Sequence, residues 1–479
     1  MPEYEPVVGM ECHAELLTES KMFCGCKNEF GGEPNTRCCP VCLGMPGSLP
    51  VMNRLAVDHV IRTSLALNCK ITPNAKFDRK NYFYPDLPKG YQISEYDLPI
   101  GVSGWLDIEA NGVSKRIHIR RIHLEEDTGK LSHAEGNESF VDLNRSGVPL
   151  MEIVTEFPPD IRSSEEARVY LSKLRTLLTY IGVCDGKMEQ GSLRCEPNVS
   201  IQEKGSDHFG VKTEIKNLNS FRAVQRGIDY ECERQAETLG RGEKILQETR
   251  GWSDAKQSTF SQRSKEGEQE YRYFPEPDLV PLDISEEWIE RIRASMPELP
   301  DAKHKRFMED YGLSSYDATL LTETRAMADY FERTAKRCAD AKSASNWIMG
   351  ELSRLLNSEN RDIADSPISS DNLAAMISRI VDGTISGKIA KQLIEEMYST
   401  SLEPDFIIEE KGWKTIKDSG AVAAIVDQVI ADNPKIVSEI LEKGLIQKRG
   451  FLVGQIMKAT QGKADPQEVN RLLDEKLKS

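Results

Sequence analysis

The 479-residue chain contains no run of about eighteen apolar residues, so nothing in it reads as a membrane-spanning helix. Its first residues, Met-Pro-Glu-Tyr-Glu, are acidic. They lack both the apolar stretch of a secretion signal and the arginine-rich amphipathy of an organelle presequence, so the chain is expected to stay in the cytoplasm. A G-x-x-x-x-G-K-[ST] loop is absent, as is a G-x-G-x-x-G after a strand, which removes the P-loop and Rossmann nucleotide sites. With no G-x-S-x-G elbow and no H-E-x-x-H motif, neither a hydrolase serine nor a stand-alone zinc hydrolase is supported. Positive charge is scarce too: 62 Lys and Arg face 77 Asp and Glu, a net charge of −15 that argues against a protein coating nucleic acid.

Cysteine, by contrast, is plentiful at eleven residues. An odd count without a secretion signal points to free thiols and a metal site in a reducing compartment rather than to a disulfide framework. Cys24-Gly25-Cys26 and Cys39-Pro40-Val41-Cys42 stand twelve residues apart, and two such loops can close a tetrahedral thiolate shell. Cys38 competes with Cys39 as a ligand, but Pro40 and Gly44 favour a knuckle formed by Cys39 and Cys42. A structural zinc on Cys24, Cys26, Cys39 and Cys42 is therefore expected, with a redox role as the alternative.

At 39% hydrophobic, the chain can bury sizeable cores and suggests two to four domains. Residues 1–294 mix short alternating strands, Gly- and Pro-rich loops and two helices. Two prolines between Met296 and Pro300 punctuate the chain, and residues 295–405 read as helical. A second seam near Ser401–Pro404 opens a tail, residues 406–479, with helices expected at 422–430, 434–443, 451–460 and 466–478. From Lys411 onward twelve Lys or Arg meet nine Asp or Glu, so the tail is near +3 while the rest carries about −18. Lys443, Lys448, Arg449, Lys458 and Lys463 are the candidates there for phosphate contacts, set against the plainer reading of a solvated helical surface.

Strand alternation selects the chemistry. Along residues 7–15, Gly9, Glu11, His13 and Glu15 share one face and Val8, Met10, Cys12 and Ala14 the other. Cys12 thus turns away from His13, which disfavours a Cys/His nucleophile. Residues 117–127 place Arg121, His123, Glu125 and Asp127 on one face, and Glu152 interrupts an otherwise apolar strand, where a carboxylate needs a partner. His13, Glu125 and Glu152 together have the donor set for magnesium. Further candidates are Glu196, Asn198 and Ser200 on one strand and Lys212, Glu214 and Lys216 on another. Asn219 or Ser220 is expected to cap a helix from Phe221 to Leu239. The polar, aromatic run from Arg79 to Asp86 is expected to be an active-site loop.

Seven phrases carry a resemblance. Gly9-Met10-Glu11-Cys12-His13, Phe77 through Asp86, His123-Leu124-Glu125-Glu126-Asp127, Val141 through Arg145, Glu189 through Cys195, Glu214 through Ser220 and Tyr271 through Asp278 together resemble the B subunits of the tRNA-dependent amidotransferases. The end, Gly450 through Thr460, is similar to that family's small helical tail. The resemblance implies an α+β protein with a mixed-sheet cradle, a helical domain and a tail domain. It implies that ATP and Mg2+ serve to phosphorylate the side-chain carboxylate of Glu-tRNA(Gln) or Asp-tRNA(Asn), after which ammonia displaces phosphate. An amidase-type A subunit supplies the ammonia and a small C subunit wraps the pair. By the same resemblance His13, Glu125 and Glu152 hold the metal, with Glu126 as the alternative to Glu125, and Glu11, Lys80, Tyr82, Asp127 and Glu214 surround that pocket. Zinc would serve folding. The competing class is a tRNA-binding scaffold that kept the fold without the catalysis.

Overall fold

The alternation along residues 7–15 becomes one long strand, β1 (Tyr4–Glu15), with Val8, Met10, Cys12 and Ala14 on the buried side. Structure was obtained as a computed structural model, which describes residues 3–133, 138–264, 271–415, 419–443, 446–460, 463–464 and 466–478. The chain divides into two units, Met1–Leu299 and Pro300–Ser479. In the first unit β1 is followed by β2 (Lys70–Ile71), β3 (Asn74–Ala75), β4 (Asp78–Asn81), β5 (Tyr91–Ser94), β6 (Gly101–Ala110), β7 (Val113–Glu126), β8 (Lys130–His133) and β9 (Ser139–Asp142). Then come β10 (Pro149–Thr155), β11 (Leu193–Glu203), β12 (Thr213–Lys216), β13 (Glu248–Ser253), β14 (Ser258–Ser264), β15 (Phe274–Pro275) and β16 (Leu282–Asp283).

Nine of these strands form one sheet in the order β14-β13-β12-β11-β1-β10-β7-β6-β2. Neighbours are antiparallel except β12 and β13, which makes the sheet mixed. A parallel pair needs a long crossover, and the helix Phe221–Gly240 supplies it. One face of the sheet, through Met10, Cys12, Ile122, Met151, Ile153, Cys195 and Val199, packs on helices to form the core. Those helices are α1 (Arg54–Ala66), α2 (Ser164–Tyr180), α3 (Phe221–Gly240) and α4 (Glu286–Ser295), two more than the sequence pattern predicts. The buried face of α1 includes His59, Thr63 and Ser64, which interrupt its apolar stripe, and α4 buries only Ile289 and Ile292. Ser220 caps α3 by accepting the Ala223 N–H at 3.1 Å, so the cap falls on Ser220 rather than Asn219.

The stretch 79–86 departs from the expected loop. Residues 78–81 are strand β4, flanked by β5 and β15 in a three-stranded sheet, and only residues 82–86 are irregular. A polar strand is tolerated because its partners are polar too: Arg79 donates to both carboxylate oxygens of Glu276, at 2.7 and 2.8 Å.

The second unit is helical throughout its described residues: α5 (Pro300–Tyr311), α6 (Ser315–Leu321), α7 (Arg325–Cys338), α8 (Ala341–Trp347), α9 (Ser353–Ser358), α10 (Ser370–Val381), α11 (Gly387–Thr400), α12 (Pro404–Glu410), α13 (Ser419–Asp432), α14 (Pro434–Lys443), α15 (Arg449–Ala459) and α16 (Pro466–Lys478). Helix α12 packs on α10 and α11, so the expected boundary at 405/406 cuts through a bundle. The tail has its own core, built from Val422, Val426, Leu452, Ile456, Val469 and Leu473 on α13, α15 and α16. No helix among the described residues is long and apolar enough to cross a membrane.

Candidate active site

Register brings the polar residues of the sheet into rows. His13 pairs with Glu152 on one side and Arg194 on the other, and Glu152 pairs in turn with His123. One row of four polar side chains therefore crosses β11, β1, β10 and β7. Two residues along β1, Glu11 faces Glu196, while Asn198 faces Glu214 on β12.

Two acidic groups result. In the first, single ligand atoms of His13, Glu125 and Glu152 lie within 4.8 Å of one another. His13 Nε2 stands 3.8 Å from Glu125 and 3.7 Å from Glu152, beyond hydrogen-bond length, and its buried Nδ1 has no hydrogen-bond partner among the described residues. In the second, Glu11, Glu196 and Glu214 converge within the same limit. Lys216 donates to Glu196 at 2.7 Å, Asn198 to Glu11 at 2.8 Å and Thr249 to Glu214 at 2.8 Å. Burial would raise the Glu196 carboxyl, but the Lys216 charge and hydrogen bond together with the His13 and Arg194 charges outweigh it and hold the group at about 2.

His123 is the residue that sequence reasoning placed on the right face without giving it a role. Its Nε2 lies 2.9 Å from Glu152. Burial alone would lower the His123 pKa, but Glu152 and Glu125 outweigh it and raise it to about 9, while Glu152, desolvated yet facing His123 and His13, falls well below the ordinary carboxylate value. The raised His123 pKa stabilises the metal-free fold fully below pH 6.5, and that contribution is lost as pH rises through about 9. The depressed Glu152 pKa acts oppositely, its contribution being lost as pH falls below 4.5. The thermal midpoint of chelator-treated protein should therefore decline on the alkaline side of that window, and His123→Gln should flatten the decline. An unchanged slope in the variant would assign it to other groups.

Lys80, on β4, points its ammonium over the rings of Tyr271 (5.1 Å) and Tyr82 (5.9 Å). It makes no ion pair among the described residues; burial would lower its pKa, but the charges of Glu125, Tyr273, Tyr82 and Glu152 together, Glu125 first, keep it above the usual lysine range. Tyr273, stacked on Tyr96 at 4.1 Å, has its hydroxyl pushed up to about 12, chiefly by burial. Tyr271 and Tyr273 come from far along the chain, delivered by the pairing of β15 with β4 and by Asn81 donating to Tyr271 O and Arg272 O.

The structure turns one of the expected residues away from this group. Glu126 bonds Lys89 and accepts the Ile93 N–H at 3.0 Å, lining a cavity of about 150 Å3 with Cys24, Cys42 and Lys89, away from Glu125. The alternation of β7 imposes this, since neighbours on a strand face opposite ways. Asp127 is held by Arg194 at 2.7 Å and Arg145 at 3.6 Å. Beside it Glu15 is pushed up to about 8 by burial and by the Asp127 charge.

The four cysteines converge as well: one Sγ each from Cys24, Cys26, Cys39 and Cys42 lies within 4.8 Å of the others, and Cys38 stays outside the group. The Cys39 N–H donates to Cys42 Sγ at 3.0 Å. Accepting from Cys24 first of all, the Cys42 thiol is drawn down to about 4.

Comparison with known proteins gives the chain's relatives. A family model for the GatB/GatE catalytic domain matches residues 6–290, and a second, for the GatB domain, matches residues 329–477. The aspartyl/glutamyl-tRNA(Asn/Gln) amidotransferase B subunit of Carboxydothermus hydrogenoformans is 54% identical over 482 residues, covering 100% of this chain and 99% of its own. The proteins of the same name from Thermodesulfovibrio yellowstonii (54% over 476 residues, 99% and 100% covered) and Brevibacillus brevis (53% over 480 residues, 100% of both) are similar to the same extent. With both acidic groups on one sheet and the likeness running the length of the chain, the protein belongs to the family of aspartyl/glutamyl-tRNA(Asn/Gln) amidotransferase B subunits.

Proposed function

We propose that this chain is the phosphorylating and amidating subunit of a multi-subunit tRNA-dependent amidotransferase, acting on Glu-tRNA(Gln), Asp-tRNA(Asn) or both. The observation that carries the reading is the convergence of His13, Glu125 and Glu152 beside Glu11, Glu196 and Glu214 on one face of one sheet, with the Lys80 ammonium close by. A carboxylate accepts ammonia poorly until one of its oxygens becomes a leaving phosphate. The substrate carboxylate oxygen attacks the γ-phosphorus of ATP, ADP departs, ammonia attacks the acyl carbon and phosphate leaves with the carbonyl re-formed. An amidase-type A subunit delivers the ammonia, and a small C subunit completes the complex.

His13, Glu125 and Glu152 suit a hard divalent ion. One imidazole and two carboxylates converge, the His13 contacts are too long for hydrogen bonds, and Nδ1 has no hydrogen-bond partner among the described residues. Magnesium bound there would neutralise the phosphoryl group in transfer. His123 fixes the Glu152 carboxylate in place and Ser94 donates to Glu125 at 3.1 Å. Lys80, which makes no ion pair among the described residues, offers the incoming phosphate an ammonium held in place by two rings. The four cysteines suit a closed structural zinc, since the donor set is all sulfur.

Purified with its co-expressed partners, the chain should convert both misacylated tRNAs, or one of them, in a reaction requiring ATP and magnesium. Conversion without ATP by that complex would remove the reading.

The tail is proposed to contact the tRNA body. Its charge is less free than the count implies: Lys448 is paired with Glu439 and Arg449 with Asp474, and the Lys443 side chain lies outside the described residues. Lys458 is exposed and, with Lys463, has no ion pair among the described residues. Deletion from Gly412, which spares α12, should raise KM for misacylated tRNA roughly tenfold and reduce the salt dependence of binding. Equal affinity and equal salt slope with and without the tail would remove it from tRNA binding.

A further inference from the structure

Lys21 is fully buried, yet its ammonium has no carboxylate partner among the described residues. It donates to two neutral carbonyls, Arg37 O at 2.8 Å and Leu143 O at 3.3 Å. A buried charge supported by dipoles alone is costly, because the water it has lost is not replaced by an opposite charge. The nearby cations differ. Arg37 reaches Glu29, and Lys89 is bonded to Glu126. Beside Lys21 lies the cysteine knuckle. A Cβ built on Gly147 would meet Cys42 Cβ at 3.6 Å, Lys21 Cδ at 3.7 Å and Glu126 Oε2, a carboxylate bonded to Lys89, at 4.0 Å, so the Lys21 and Cys42 side chains flank the same glycine.

Four thiolates around one divalent ion leave two negative charges in excess, at a cluster whose Cys42 side is buried. We infer that Lys21 is the counter-ion of the cysteine cluster, a positioning residue whose ammonium offsets that excess and ties the knuckle to the loop at residues 142–147. The inference rests on the zinc reading above. The geometry of the loop adds to it. Asn35 accepts from Leu143 N and donates to Val141 O, Asn144 bridges Glu33 O and Arg37 N, Ser146 donates to Cys42 O, and Met22 N donates to Gly147 O. Arg145, in the middle of this loop, donates to Thr128 O and Gly129 O and stands 3.6 Å from Asp127. Lys21 bonds one carbonyl on each side of that junction, so it joins the ion's charge to the placement of Arg145.

The test measures zinc retention by the purified full-length chain against a chromogenic chelator. Lys21→Met, which keeps the length and removes the charge, should release zinc at about a tenfold lower chelator concentration or less, with Lys21→Arg closer to the parent. Should Lys21→Met alone fail to fold, Lys21→Met with Cys26→His, which lowers the charge of the cluster by one, is expected to fold and hold zinc. Unchanged retention in folded Lys21→Met overturns the inference, and so does a folding defect that Cys26→His does not relieve. A parent chain that carries no zinc overturns the zinc reading itself, which keeps the two failures apart.

Discussion

Phosphorylation of the misacylated carboxylate should fall by about a thousandfold or more in complexes carrying His13→Ala or Glu152→Ala, because a clamp contributing several kcal/mol to phosphoryl transfer is opened. Glutamine hydrolysis by the partner should persist, since neither residue belongs to that subunit. His13→Ala is the cleaner variant. The His13 imidazole makes no contact to Glu125 or Glu152 shorter than 3.7 Å, so removing it costs the fold little. Glu152→Ala also strips His123 of a partner at 2.9 Å and leaves a buried imidazolium less compensated, so its thermal midpoint should drop as well. Phosphoryl transfer at the parental rate in either variant would remove these residues from the chemistry.

The second large effect is expected at the knuckle. Freshly purified, reduced protein should contain about one zinc per molecule. Cys39→Ser should lower the thermal midpoint by about 5 °C or more, while activity per folded molecule changes much less. Cys39 supplies both a sulfur and the N–H that bonds Cys42 Sγ, and the knuckle is laced to residues 141–147 by hydrogen bonds from Asn35, Asn144 and Ser146. Metal analysis without zinc, or a variant as stable as the parent, would contradict this.

Much of this was legible in the sequence, and what was not has a physical cause. Alternation put Glu11 and His13 on one face of β1 because a strand has a period of two, and the same rule turned Cys12 inward. Short-range spacing likewise brought out the two cysteine pairs. Register was beyond reach: that His123 sits opposite Glu152, or that Glu196 and Glu214 meet Glu11, depends on strands separated by dozens to hundreds of residues. The aromatic wall around Lys80 was hidden likewise, since Tyr271 and Tyr273 arrive through a two-residue strand. In the tail, charge was countable but its pairing was not, and Lys448 and Arg449 prove to be engaged with Glu439 and Asp474.

The position of β1 has a consequence for biosynthesis. It leaves the ribosome ahead of the other strands of its sheet, yet it lies inside that sheet, between β10 and β11. Its first neighbour, β10, begins at Pro149 and its second, β11, at Leu193. At roughly 5–20 residues per second of synthesis, β1 waits on the order of ten seconds or more with both edges unpaired and one apolar face bare. A translational pause before residue 149 would lengthen that exposure, whereas one after β11 has emerged would not.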